Sequence, residues 1–173
     1  MQQTPTDITT ELRAMFDLDQ ASESKAHHED IAERLAWRRL TTLHGDRLRE
    51  ILEAHGWPSD PAASEAAWVL AQHADHQIDV QRLALGLLEA AVEAGGAGPD
   101  GPRHLAFLRD RLAVNEGREQ TYGTQIGGIT DEGAPVPWPV ADPAGMDARR
   151  AEVGIPPFDA YVKAHAPQGR PQR

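Results

Sequence analysis

From Ala62 to Ala71 the chain is apolar almost all the way round a helical circumference, with only Ser64 and Glu65 interrupting. A helix without a polar face must sit at the centre of a fold, so this segment limits the chain to architectures built around it. The helix is expected to run from Ala62 to about His76, with Ser59, Asp60 and Ser64 as candidate caps. It ends in Gln72-His73-Ala74-Asp75-His76. Polar groups at the end of a buried helix are costly unless something satisfies them, and that cost makes this end the first place to look for function.

Other helices follow from spacing. Ile8, Leu12, Met15 and Phe16 share one face of a first helix, Asp7 to about Asp19, with Thr6 or Asp7 as N-cap. A second helix carries Ile31, Leu35 and Trp37, and Gly45 is expected to break it before Leu48, Ile51, Leu52 and His55. Gly56-Trp57-Pro58 reads as a helix stop. Val80, Leu83, Leu87, Leu88 and Val92 mark a further helix, in which Asp79 reads as a cap. After a glycine-rich loop, Pro102 starts another helix with the stripe Leu105, Leu108 and Leu112.

Beyond Gly117 the pattern changes. Gln120 to Ile129 and Val136 to Val140 are expected to pair as a β-hairpin across Asp131-Glu132-Gly133, with Pro137 and Pro139 confining the second strand to an edge. Met146 to Val153 and Pro157 to about His165 read as two short closing helices. The expected fold is mainly α: one compact multi-helix domain over residues 1–165, with a small hairpin in the C-terminal third. A disordered tail over 166–173 would complete it.

The net charge of −10 argues against a nucleic-acid partner, since phosphate binding needs a basic patch. The one basic cluster, Arg34, Arg38 and Arg39 near Arg47 and Arg49, is interrupted by acidic residues and reads as a solvated helix face. No cysteine is present, which excludes disulfides, thiolate metal sites and cysteine nucleophiles. No apolar run reaches the length of a membrane span, and the N-terminus lacks the regions of a signal peptide, so a cytoplasmic protein is expected. The heavy use of Ala, Arg, Gly and Pro is that of a GC-rich bacterial genome.

On a helix of about 100° per residue, Trp68, Gln72, Asp75 and His76 fall on one face, and His73 turns away from it. A carboxylate orients an imidazole for acid–base work, but residues two apart on a helix cannot make that bond. Asp75 would then need a partner from elsewhere, with Arg111, Tyr122 and Arg150 as candidates. A histidine at a helix end also serves as a plain structural hydrogen-bonder. His73 with His76, and His27 with His28 and Asp30, lack the Glu-x-x-His or His-Glu-x-x-His spacing of helical metal sites, so no metal is expected.

A second polar motif, Gln120-Thr121-Tyr122-Gly123-Thr124-Gln125, lies where helix gives way to extended chain. Gly123 permits a turn or a close ligand approach, and Tyr122 can donate a proton. Gln120 and Gln125 either bind a polar ligand or satisfy buried helix ends.

Taken in order, the residues resemble a bacterial family of unknown function with a QHAD … YGTQ … DxRR signature. The resemblance runs through Asp19-Gln20, Gly56-Trp57-Pro58, Gln72-His73-Ala74-Asp75 with Gln81, Asp110-Arg111 and Gln120-x-Tyr122-Gly123-Thr124-Gln125. It continues through Asp142-Pro143, Asp147-x-Arg149-Arg150 and Gly154-Ile155-Pro156-Pro157, covering residues 10 to 163. It implies that Gln72, His73, Asp75, Gln81, Tyr122, Gln125 and Arg150 belong to one shared feature, catalytic or structural. The family pattern has an Arg about four residues after Asp-Gln, where this chain has Ser24.

Two functions compete. One is a cofactor-independent acid–base enzyme (a lyase, cyclase or hydrolase) acting on a polar small metabolite, set in bacterial secondary metabolism, alone or as one subunit of a two-protein enzyme. In it His73 is general base or acid, Asp75 its electrostatic partner and Tyr122 a second proton donor. Gln72, Gln81, Gln120 and Gln125 hold polar substrate groups, and Arg111 or Arg150 pairs an anion. The other is a non-enzymatic domain that binds a small molecule or a protein, as a homo-oligomer or with a partner, and whose polar cluster is a buried network. Exposed apolar residues at helical spacing would favour this second function.

Overall fold

The computed structural model describes residues 4–131 and 133–165; the expected disordered tail and Glu132 of the expected turn lie outside them. The chain divides into two compact units, Met1–Gly101 and Pro102–Arg173. Among the described residues the fold is mainly α, with seven helices and one small antiparallel hairpin. Among the described residues no helix is long and apolar enough to cross a membrane.

The first unit holds α1 (Pro5–Ser22), α2 (Ile31–His55), α3 (Pro61–His73) and α4 (Ile78–Glu93), with a 3-10 turn over Glu23–His27. Helix α1 starts earlier than its apolar stripe suggests. Thr4 forms a capping box with Asp7, its hydroxyl accepting from the Asp7 N–H at 3.3 Å while the Asp7 carboxylate accepts from the Thr4 N–H at 3.1 Å. Asp30 caps α2 by accepting from the Ala32 N–H at 2.8 Å, and His28 Nδ1 accepts from the Asp30 N–H at 3.1 Å. His28 and Asp30 of the His27-His28-Asp30 cluster therefore build a helix start. Asp60 caps α3 and Pro61 opens it.

Helix α3 lies at the centre of this unit, packed chiefly along α1 and also against α2 and α4. Ala63, Ala66, Ala67, Leu70 and Ala71 are buried, as expected of this segment, while Trp68 and Val69 are half-buried. Around it Leu12, Leu48, Ile51, Leu52, Val80 and Leu88 close the core. Burying each leucine contributes roughly 1.5–3 kcal/mol. Arg47 forks onto Glu11 at 2.6 and 3.0 Å, joining α2 to α1.

Helix α2 runs unbroken through Gly45, where a stop was expected. Gly45 is buried, and a Cβ there would collide with the side-chain carbonyl of Gln77. The glycine makes room for Gln77, whose Nε2 donates to Asp46 Oδ1 at 2.6 Å. Tertiary packing outweighs the ~1 kcal/mol helix penalty of glycine.

In the second unit α5 (Gly101–Asn115) leads to the strands β1 (Ile126–Ile129) and β2 (Pro135–Pro137), then to α6 (Met146–Glu152) and α7 (Phe158–His165). The strands pair Ile126 with Pro137, Gly128 with Val136 and Ile129 with Pro135, with an irregularity at Gly127. The hairpin is shorter than expected because Gln120 leaves it. Its N–H donates to Pro139 O and its carbonyl accepts from Ala141 N, in an isolated parallel bridge with Val140.

Candidate functional site

Two polar centres emerge, one in each unit. The first is built on α1, α2 and α3. Asp19 continues the apolar stripe of α1 beyond Ile8 and Leu12 and is fully buried. His73 is the last residue of α3, and its Nδ1 lies 2.6 Å from Asp19 Oδ2. Gln20 Nε2 donates to the same oxygen at 3.3 Å. On the other side of the carboxylate, His44 Nδ1 stands 3.9 Å from Asp19 Oδ1, too far for a hydrogen bond. Trp37 lies edge-on to the His73 ring, with centroids 5.3 Å apart.

Burial alone would push the Asp19 carboxyl up. The imidazoles of His44 and His73, with the Gln20 amide, more than offset it, and the group is held below its ordinary value. An ionised Asp19 only accepts, so the short contact makes His73 Nδ1 the donor; in the neutral form of the ring the lone pair then lies on Nε2. The His73 side chain keeps 18% of its exposure, whereas Asp19 keeps none. A buried carboxylate thus fixes an imidazole that still meets the outside.

The carboxylate that pairs with His73 is Asp19, from a different helix. Helix α3 stops at His73, so Asp75 and His76 stand in a turn and do not share the expected face with Trp68 and Gln72. Asp75 is half-buried and His76 exposed. Gln72 is buried at the end of α3. Gln81 is fully buried, its Nε2 donating to the Ala71 carbonyl at 3.1 Å across from α4 to α3. Asp79 is not the cap of α4: Gln77 holds that position, and Asp79 pairs with Arg49 at 2.5 Å.

The second centre is a loop held from inside. Asp110 of α5, fully buried, accepts from the N–H groups of Thr121 (2.7 Å), Tyr122 (3.1 Å) and Thr124 (3.0 Å), and from the Thr124 hydroxyl at 3.0 Å. Gln120, also fully buried, donates to the carbonyls of Gln125 and Trp138 and accepts from the Gln125 N–H. Arg111 donates to Gln125 Oε1 at 2.9 Å. Arg150, with 3% of its side chain exposed, donates to the carbonyls of Pro156 (2.7 Å) and Tyr122 (2.8 Å). Its guanidinium also lies 5.6 Å from the centroid of the Phe158 ring. Burial lowers the pKa of Arg150, partly offset by Asp147, Asp110 and Tyr161. Arg149 clasps the Thr121 carbonyl and the Asp142 carboxylate.

Gln120 and Arg150 are thus engaged in holding backbone, the Gln125 side chain accepts from Arg111 and donates to the Thr124 hydroxyl, and Tyr122 is half-buried in the same loop. Among the described residues no group of three or more His, Asp or Glu side chains is placed to hold a metal ion. Sequence reasoning reached Asp19 and Asp110 only through the resemblance and did not reach His44. The available signal was positional: Asp19 follows Ile8 and Leu12 on one stripe, and His44 precedes Leu48 and Leu52 at intervals of four.

A known protein family matches residues 6–167, a span that contains the whole stretch over which the resemblance was read. The chain belongs to the family of unknown function DUF6624. No curated protein and no solved structure matches it. Membership in DUF6624 covers residues of both polar centres and assigns a role to neither.

Proposed function

We propose that this member of DUF6624 is a cofactor-independent acid–base enzyme acting on a polar small metabolite, with His73 as the proton-transferring group. The observation that carries the reading is the 2.6 Å contact between His73 Nδ1 and a fully buried Asp19. Asp19 fixes the tautomer and orientation of the ring and faces the charge that develops when Nε2 takes a proton. Asp19 takes the role that Asp75 was expected to fill. Trp37 packs in a T-shaped contact beside the ring. The second centre supports a structural role instead, since Asp110, Gln120 and Arg150 are engaged with backbone groups.

The test incubates the protein in D2O with a panel of polar metabolites and follows loss of substrate and deuterium uptake by NMR. His73→Asn serves as control, because its amide nitrogen replaces Nδ1 as donor to Asp19 but carries no base at Nε2. At least one compound should be consumed or exchanged, and about 10²–10⁴-fold more slowly with His73→Asn. Equal rates with the variant, or compounds that bind and never react, would reject the reading.

A further inference from the structure

Helix α2 is amphipathic in an unusual direction over its first half. Leu35, Arg39 and Leu43 follow one another at intervals of four and lie about 180° from the ridge of His44, Leu48 and Leu52 that faces the core. Leu35 and Leu43 are 57% and 60% exposed, and Ile31, one turn earlier, is 62% exposed. These are apolar residues at helical spacing on an open face.

The basic cluster on this helix divides in two. Arg47 is bound to Glu11, Arg49 to Asp79, and Arg34 donates to the His28 carbonyl. Among the described residues, the guanidinium groups of Arg38 and Arg39 have neither an ion pair nor a hydrogen bond, although the chain carries a net charge of −10. They flank the exposed leucines, and Leu35, Arg38, Arg39, Thr42 and Leu43 together line one shallow depression.

We infer that this face of α2 docks an acidic amphipathic helix of another protein, its apolar side chains over Leu35 and Leu43 and its carboxylates on Arg38 and Arg39. Charge decides the occupant. A second copy of this chain related by a two-fold axis would lay the patch on itself, placing arginine against arginine with no counter-charge. An anionic membrane would attract the two arginines but repel the rest of an acidic chain. An acidic helix meets neither objection, and a bidentate guanidinium–carboxylate contact gives it register. The open apolar face is the feature expected of a protein-binding domain, and it coexists with the catalytic reading because Leu35 and Leu43 lie on the opposite side of α2 from the Asp19 site.

The probe is a displayed library of random 16-residue peptides selected on the full chain, with enriched peptides mapped by amide chemical shifts. Enrichment of acidic peptides with apolar residues at i and i+4 is expected, with shifts confined to Ile31–Leu43 and affinity falling as salt rises. The double variant Arg38→Glu/Arg39→Glu, at exposed positions, should bind these peptides at least tenfold more weakly and should recover binding when their Glu residues are changed to Lys. No enrichment, neutral or basic peptides, binding at another face, or unchanged affinity in the double variant would each overturn the inference. So would a dimer that Leu43→Glu dissociates, or sedimentation with phosphatidylserine vesicles that Leu35→Glu abolishes.

Discussion

Asp19 Oδ1 and His44 Nδ1 face each other across 3.9 Å, and among the described residues neither atom has a hydrogen-bond partner. Replacing His44 by Leu therefore strands no hydrogen-bonded group. Its effect on stability at neutral pH is expected to stay within about 1 kcal/mol, since no made bond is lost. His44 does help to hold the Asp19 carboxyl low, so the part of the acid sensitivity that comes from Asp19 should shrink, and His44→Leu should lose less stability than the parent between neutral pH and the acid range. Urea melts at pH 7 and acid titrations followed by circular dichroism read both effects.

His73→Ala behaves differently, because it removes the short partner of a buried carboxylate. The expected loss is about 1–3 kcal/mol for the stranded group, or a fall of several degrees in Tm. His73→Asn, which restores a donor, should recover at least half of that loss. Thermal melts of the two variants side by side test this, and a stability-neutral His73→Ala would mean that the 2.6 Å contact does not form in solution.

Asp19 gives the stability a definite pH signature. Its pKa is lower folded than unfolded, so its contribution is complete above the ordinary value near 3.8 and disappears as pH falls through the folded value. Asp7 and Asp142 are held low as well, both at the surface, so the informative quantity is a difference between variants. The stability gap between the parent and Asp19→Asn should be constant above about pH 5 and narrow below the ordinary carboxylate range. A gap independent of pH would contradict this.

In the second unit, Asp110→Asn replaces one accepting oxygen by an amide N–H2 that faces the backbone N–H groups of the loop. Each stranded group costs about 1–3 kcal/mol. Hydrogen exchange should show the Thr121, Tyr122 and Thr124 amides losing protection, while those within α5 keep theirs.

Gly123 sits at φ 65°, and a Cβ there would lie 2.5 Å from Met146 Sδ. Gly123→Ala is expected to cost about 1–2 kcal/mol from backbone conformation, plus a packing term. Met146→Ala should relieve only the packing term. A double-mutant cycle on urea melts should then give a coupling of at least about 0.5 kcal/mol.

The helices were legible because periodicity is local. The stripe Ile8–Leu12 and the apolar segment ending at Ala71 show burial within one or two turns, and the structure places both in the core. The partner of His73 was not legible, because it lies 54 positions away and is set by how α1 packs on α3. The end of α3 was misplaced by three residues for a related reason. Nothing at Ala74 breaks a helix by itself, and the turn after His73 is pinned by Gln77 reaching into the space above Gly45. The second motif named the right loop, but Gln120 and Gln125 read equally well as ligand-binding or as self-satisfying, because the bonds from Gln120 to the Trp138 carbonyl and from Arg111 to Gln125 depend on pairings that local spacing does not carry.

The separation between Asp19 and His73 also orders events on the ribosome. At roughly 5–20 residues per second, the carboxylate is made about 3–11 s before the imidazole it will face. During that interval α1 has no α3 to pack against, and Asp19 stays in water, where an unpaired charge is harmless. When α3 arrives it brings the apolar wall that buries Asp19 and, at its last residue, the hydrogen bond that burial requires. The nascent chain therefore never has to bury the charge alone.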